Sequence, residues 1–149
     1  MTLPHPDYRL MHFPDDFSAV VGPYYWRMDD DRPLIGLRVK HLHVSPRGVC
    51  HGAVLVAMAD LQSLPGSYLA GITDRLTATV SFSNDFMSPA KLGEWVEMRV
   101  DLIKATRQFI FTQALLRTES GTAVVRSSGV YKLDPAPHPD PQIVTRLFG

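Results

Sequence analysis

Cysteine is almost absent from this 149-residue chain, where Cys50 stands alone. A single thiol closes no internal disulfide and offers no cysteine-based metal site. It suits a reducing cytoplasm, which is the expected location. Net charge is lacking too. Fifteen Lys plus Arg balance fifteen Asp plus Glu. That removes the basic footprint of a nucleic-acid binder and leaves room for a local patch that meets a phosphorylated ligand. Long apolar runs are missing. The longest, Ala53 to Ala59, has seven residues, against the ~20 that a membrane-spanning helix needs. Met1 to Met11 carries Pro4, His5, Pro6 and Asp7 without an apolar stretch, and does not read as a signal peptide. No internal repeat or change of composition divides the chain. Its length fits one domain, residues 1–149, with its own core.

What is present has an order. Pro14 to Val21 reads as a short helix with acidic residues in its first turn, stopped by Gly22-Pro23. Tyr24 to Met28 reads as an aromatic strand, Asp29 to Pro33 as a turn, and Leu34 to Val44 as a second strand of a hairpin, with Leu37, Val39, His41 and His43 on one face. Ser45-Pro46-Arg47-Gly48 breaks that strand. Gly52 to Leu61 follows, apolar on every side and rich in Ala and Met, which predicts a helix wrapped by protein. Pro65-Gly66 is expected to end or kink it. After Gly71 the period becomes two: Leu76, Ala78, Val80 and Phe82 alternate with Thr77, Thr79, Ser81 and Ser83. Trp95 to Thr106, Phe109 to Glu119 and Ala123 to Leu133 form three further strands in an antiparallel meander. Asp134 to Pro141, with four prolines, is an extended tail, and Ile143 to Phe148 docks on a neighbour or stays loose. The expected architecture is α+β, an antiparallel sheet curled around one buried helix. Its core spans about 34–133, preceded by the helix and strand of 14–28 and followed by the tail 134–149.

Three stretches carry a family resemblance. The first is Ser45-Pro46-Arg47-Gly48-Val49-Cys50-His51-Gly52-Ala53, running on to Asp60. The second is Phe86-Met87-Ser88-Pro89-Ala90-Lys91-Leu92-Gly93, and the third is Gly129 before Val130-Tyr131. With the layout above they resemble the hotdog-fold acyl-CoA thioesterases of the PaaI (phenylacetate-degradation) type. The resemblance implies hydrolysis of acyl-CoA thioesters by a homodimer or homotetramer, without a cofactor. Two positions depart from the family pattern: Ser45 stands where Asn or Gln is usual, and Ala53 replaces the second glycine of His-Gly-Gly.

Thioester hydrolysis needs a donor for the negative charge on the carbonyl oxygen and a base or nucleophile at the carbonyl carbon. Gly52 is placed at a helix start, where backbone amides lack internal partners and the dipole is positive. Asp60 is the only carboxylate between Ser45 and Thr73, and an isolated charge in an apolar helix calls for a partner or a use. Eight positions separate the two, about 12 Å along a helix axis. One carbonyl does not reach both, so a shared thioester requires two chains, which the resemblance also implies. The resemblance further implies that Thr79 orients water near the acid, that His51 shapes the helix start, and that Ser45 inherits a positioning role. Ser45 as a plain turn residue is the alternative. Arg47, Lys91, Arg107 and Arg126 are candidates for CoA phosphates, and Tyr24, Trp26, Phe82 and Phe86 for shaping the acyl pocket. His41, His43 and His51 do not have convincing metal-site spacing, and Cys50 has no activating partner. The competing functions are a non-catalytic acyl-CoA or lipid-binding hotdog protein and a hotdog hydratase. The Asp-x-x-x-x-His and His-Phe-Pro-Gly patterns of the hydratases and dehydratases are both missing.

Overall fold

The computed structural model describes residues 2–148. Seven strands form one antiparallel sheet: β1 (Arg9–Leu10), β2 (Tyr25–Asp29), β3 (Arg32–Arg38), β4 (Thr77–Phe86), β5 (Trp95–Ala105), β6 (Phe109–Thr118) and β7 (Ala123–Leu133). Their order across the sheet is β1-β2-β3-β5-β6-β7-β4. Helices α1 (Asp16–Val21), α2 (Gly52–Asp60), α3 (Ser63–Leu69) and α4 (Ile143–Arg146) complete the chain. The β2–β3 hairpin turns through Asp30 and Asp31, both at positive φ (47° and 60°). That two-residue turn matches the right-handed twist of its strands.

The period-two strands fold as their pattern predicts. In β7, Val125, Ser127, Gly129, Tyr131 and Leu133 are buried while Arg126, Ser128 and Lys132 face out. The buried faces of β3, β5, β6 and β7 meet Leu55, Met58 and Ala59 of α2 in one apolar cluster. Helix and sheet thus form two layers around a common core.

Four expectations are corrected. The second hairpin strand ends at Arg38, and His41–His43 form a single 3-10 turn, so His41 and His43 share no strand face. The long helix breaks at Leu61-Gln62 rather than at Pro65. Pro65 is the third residue of α3, where a missing N–H leaves no hydrogen bond unmade. Gly66 lets α3 approach β6 closely, because a β-carbon there would lie 2.5 Å from Thr112 Cγ2. The terminal segment neither stays loose nor needs a neighbour: α4 brings Val144 and Phe148 into the main core, with the Phe148 ring 5.5 Å from Trp26. Finally, β4 does not keep its alternation. The register with β7 shifts between Thr79 and Ser81, and this bulge at Val80 puts Thr79 and Phe82 on the same, helix-facing side. One extra residue in a strand reverses every side chain beyond it.

The helix is not fully wrapped. Gly52 and Ala53 are exposed, and Val56 and Ala57 are half-buried. Beside it, β4 is a ten-residue edge strand with Val80 56 % exposed and Phe86 54 %.

Candidate active site

The start of α2 is fixed by a buried histidine. The amide of Lys40 donates to His43 Nδ1 at 3.0 Å, and His43 Nε2 donates to the Val21 carbonyl. One accepting and one donating nitrogen define the neutral ring. Burial, ahead of the nearby Lys40 charge, lowers the His43 pKa and keeps it so. Both nitrogens are engaged, which leaves no lone pair for a metal. The His43 carbonyl accepts the His51 amide at 2.8 Å, and His51, with an exposed side chain, is the N-cap residue of α2 without a side-chain capping bond. Its carbonyl takes the amides of Val54 and Leu55. Among the described residues no acceptor takes the Gly52 amide, which is free for a ligand at the positive end of the helix.

A cleft of about 680 Å³ opens at this point, with Ser45, Arg47, Cys50, His51, Gly52 and Phe86 among its lining. Ser45 works as a turn residue there. Its Oγ accepts the Arg47 amide at 3.2 Å, and its carbonyl accepts the Gly48 amide at 2.9 Å. Of the four basic candidates only Arg47 lines this cleft. Arg126 is held by Asp85, with N–O distances of 3.0 and 2.9 Å. Cys50 is buried, which pushes its thiol pKa up to about 11 and makes it a poor nucleophile. Tyr24 and Trp26 belong to the core, against Phe13 and Phe148.

Asp60 closes the other end of α2, half-buried. Its Oδ1 accepts the Thr79 hydroxyl at 2.9 Å and the Tyr131 hydroxyl at 3.1 Å. The Tyr131 hydroxyl also lies 3.2 Å from the Asp60 carbonyl oxygen. Both donors meet one oxygen, and Oδ2 has no donor among the described residues. Tyr131 is 1 % exposed. Burial first, and then the Asp60 charge and hydrogen bond, raise its phenol well above the ordinary value, so it remains a donor. Its ring lies over Gly129, where a β-carbon would come within 2.4 Å of it. Asp60 and Thr79 border a second cleft, of about 280 Å³, that shares no lining residue with the first. The fold therefore joins Asp60 to Thr79 and joins Ser45 and His51 to Gly52, and it keeps the two groups apart.

Two residues escaped the sequence reading. Tyr131 had a signal in the Gly129-Val130-Tyr131 stretch, where glycine beside a large ring invites the ring to lie across it. Gln62 had none beyond being polar in an apolar run. It is fully buried, donates to the Ala59 carbonyl (2.9 Å) and Ser127 Oγ (2.8 Å), and accepts from Thr112 Oγ1 (2.7 Å). It ties the α2–α3 junction, two residues after Asp60, to β6 and β7.

Residues 47–125, which hold Gly52, Asp60 and Thr79, match the family model of the thioesterase superfamily. The chain belongs to the thioesterase superfamily. A Pseudomonas aeruginosa protein that carries an esterase name is 28 % identical over 135 residues, covering 83 % of this chain and 99 % of its own. Among solved structures, the Escherichia coli PaaI protein of the phenylacetic acid degradation operon superposes with a TM-score of 0.72 at 14 % identity, over 84 % of this chain and 88 % of its own. The Haemophilus influenzae thioesterase HI1161 gives 0.71 at 22 % identity, over 81 % and 84 %. A Streptococcus pneumoniae thioesterase solved with coenzyme A gives 0.64 at 14 % identity, over 74 % and 85 %. The fold of this thioesterase-superfamily chain is the hotdog fold. No helix among its described residues is long and apolar enough to cross a membrane.

Proposed function

We propose that the chain is one hotdog domain that hydrolyses acyl-CoA thioesters to free acid and CoA, in the cytoplasm, as a homodimer or homotetramer of the PaaI type. The observation that carries this reading is the division of the chemistry between two separate clefts. The carboxylate and its hydroxyl partners border one, and the free helix-start amide borders the other. A two-fold contact brings the Gly52 end of one chain to the Asp60 end of its partner and creates two equal sites. The half-wrapped face of α2 and the exposed β4 edge are the surfaces that such a contact covers.

In this arrangement the Gly52 amide, aided by the dipole of α2, binds the carbonyl oxygen as it becomes negative. Asp60 acts by one of two routes. As a general base it takes a proton from a water held near Thr79, the hydroxide oxygen bonds to the carbonyl carbon, and the C–S bond breaks to release the CoA thiolate, which regains a proton. As a nucleophile its carboxylate oxygen bonds to the carbonyl carbon, the C–S bond breaks to release the CoA thiolate, which takes up a proton, and water then opens the resulting acyl anhydride to the two carboxylates. Thr79 and Tyr131 fix Oδ1 and leave Oδ2 to react. Single turnover in ¹⁸O-water identifies the anhydride route when label appears in the Asp60 carboxyl, because solvent oxygen enters that group only by attack of water on the Asp60 side of the anhydride.

The test of the whole reading is complementation. Asp60→Asn and Gly52→Val each abolish thiol release from a panel of acyl-CoAs. Unfolded together and refolded as a mixture, they regain about one quarter of wild-type activity, since half the dimers are mixed and each mixed dimer has one intact site. Lack of any recovery, with dimers formed, refutes a site shared between chains. The second reading, a binding protein without catalysis, draws on the engagement of Ser45 in its own turn. It is favoured if wild type and Asp60→Asn bind acyl-CoA equally and neither releases thiol.

A further inference from the structure

Hydroxyl groups that bond to nothing in the protein line the cleft beside Asp60. Ser63 and Ser67 come from α3, and Thr77 is the first residue of β4. Four positions apart on one helix, the two serines share a face. Both are buried, and Ser67 is only 1 % exposed. A serine inside a helix commonly turns its hydroxyl back to a carbonyl of the preceding turn. Among the described residues, neither serine makes that bond. The side-chain bonds made nearby belong to Gln62, Thr73 and Thr79 instead. Nor are the serine oxygens sealed in the core. The side-chain atoms sealed without a partner are those of Trp26, Arg27, Asn84 and Trp95. The serine hydroxyls therefore open on the cleft. At about 280 Å³, it has room for several waters of ~30 Å³ each.

We infer that Ser63 and Ser67 hold a row of ordered water that reaches the free Oδ2 of Asp60, and that they are positioning residues for the water of hydrolysis. The inference rests on the proposed hydrolase reading and adds where its water comes from. A buried hydroxyl is costly unless something satisfies it, and water held between buried polar groups is ordered. The donors and acceptors give the row a direction. Thr79 spends its one hydroxyl proton on Asp60 Oδ1, so toward water it only accepts. Oδ2 of the ionised acid also only accepts. A water at the acid turns its protons to these two oxygens and keeps a lone pair for the acyl carbon. Ser63 and Ser67 are uncommitted, so each both donates and accepts. They anchor the waters behind the first and keep it from drifting. Leu61, Leu64 and Leu147 complete the walls and offer the row no competing polar contact. Asp15 is exposed and also lines the cleft, and the row meets bulk solvent there. Both routes open to Asp60 consume this water, one at the thioester and the other at the anhydride.

The experiment uses the full chain with Ser63→Ala, Ser67→Ala and both together. Neither hydroxyl bonds to protein, and alanine is the better helix former, so the melting temperature is expected to hold or rise. For an acyl-CoA that wild type cleaves, kcat is expected to fall at least about tenfold in the double variant, with KM within about twofold. Ser63→Thr keeps a hydroxyl and is expected to keep kcat. Added hydroxylamine gives a readout that a merely structural role leaves unmoved. Its nitrogen bonds to the acyl carbon in place of the water oxygen, loses a proton, and carries the acyl group off as a hydroxamate. It needs no activating base, so the ratio of hydroxamate to free acid is expected to rise at least about tenfold in the double variant. The single variants give the same ratio test if the double variant fails to fold. Unchanged kcat and ratio, with wild type active, refute the water row and leave the hydrolase standing. A lower kcat at an unchanged ratio, or one that tracks a lower melting temperature, also refutes the row, because the serines then serve the fold. Absence of thiol release by wild type refutes the hydrolase, and the role of the serines in hydrolysis falls with it.

Discussion

Tyr131 shows how a single buried hydroxyl organises a half-buried acid. It shares Oδ1 of Asp60 with Thr79, and a hydrogen bond to a charged group contributes about 1.5–3 kcal/mol. Tyr131→Phe is therefore expected to lower kcat by about tenfold or more with little change in KM, read by thiol release. Thr79→Val acts in the same direction. His43 makes the fold sensitive to pH. Its pKa in the fold is lowered from 6.5, so the unfolded state binds the proton more readily. The stability from this group is fully present above about 6.5 and is lost as pH falls from there through the lower folded value. The melting temperature is expected to drop between pH 7.5 and 5.5, and to drop less in His43→Gln. Sequence carried Asp60 and Gly52 as candidates because a lone carboxylate and a glycine at a helix start are local signals and their spacing matches the family resemblance. Tyr131 and Gln62 acquire their roles from partners on other elements, 71 and 50 to 65 positions away. Their partners become evident only once the sheet is assembled.

At the level of elements, the long strands bounded by turn residues were legible: β5, β6 and β7 begin at Trp95, Phe109 and Ala123, where the sequence pattern placed them. The misread elements are those where a tertiary bond overrides local preference. The 3-10 turn at His41–His43 goes with a buried His43 whose two ring nitrogens find backbone partners at Lys40 and Val21. The β4 bulge goes with a Thr79 that bonds to Asp60 and a Phe82 that packs on the main core, a pairing of faces that simple alternation does not allow. The break after Asp60 is held by Gln62, and removing that amide leaves Ser127 Oγ and Thr112 Oγ1 buried without it. Gln62→Ala is expected to cost about 2–4 kcal/mol in urea unfolding, with activity reduced even where the protein is fully folded, since Asp60 lies at the loosened junction.

Across the whole molecule, the separation of Gly52 from Asp60 along one helix makes association part of the proposed chemistry. Val80 stands exposed on the edge strand, and Val80→Asp places a charge where the proposed partner strand lies. Sedimentation is expected to show monomers, and thiol release to be lost with a circular dichroism spectrum like that of wild type. The hotdog layout was legible in the order of elements, whereas the docking of residues 143–148 was not, because a short apolar stretch after prolines looks the same whether it is free or seated. That seating closes the chain like a clasp, His12 fastened to Leu147. Between Leu133 and Ile143 the strap of the clasp runs mostly exposed, open to a protease. A nick there would leave the main strands in register and cut the tether between β7 and α4, so that Val144 and Phe148 stay seated in the core by non-covalent contact alone.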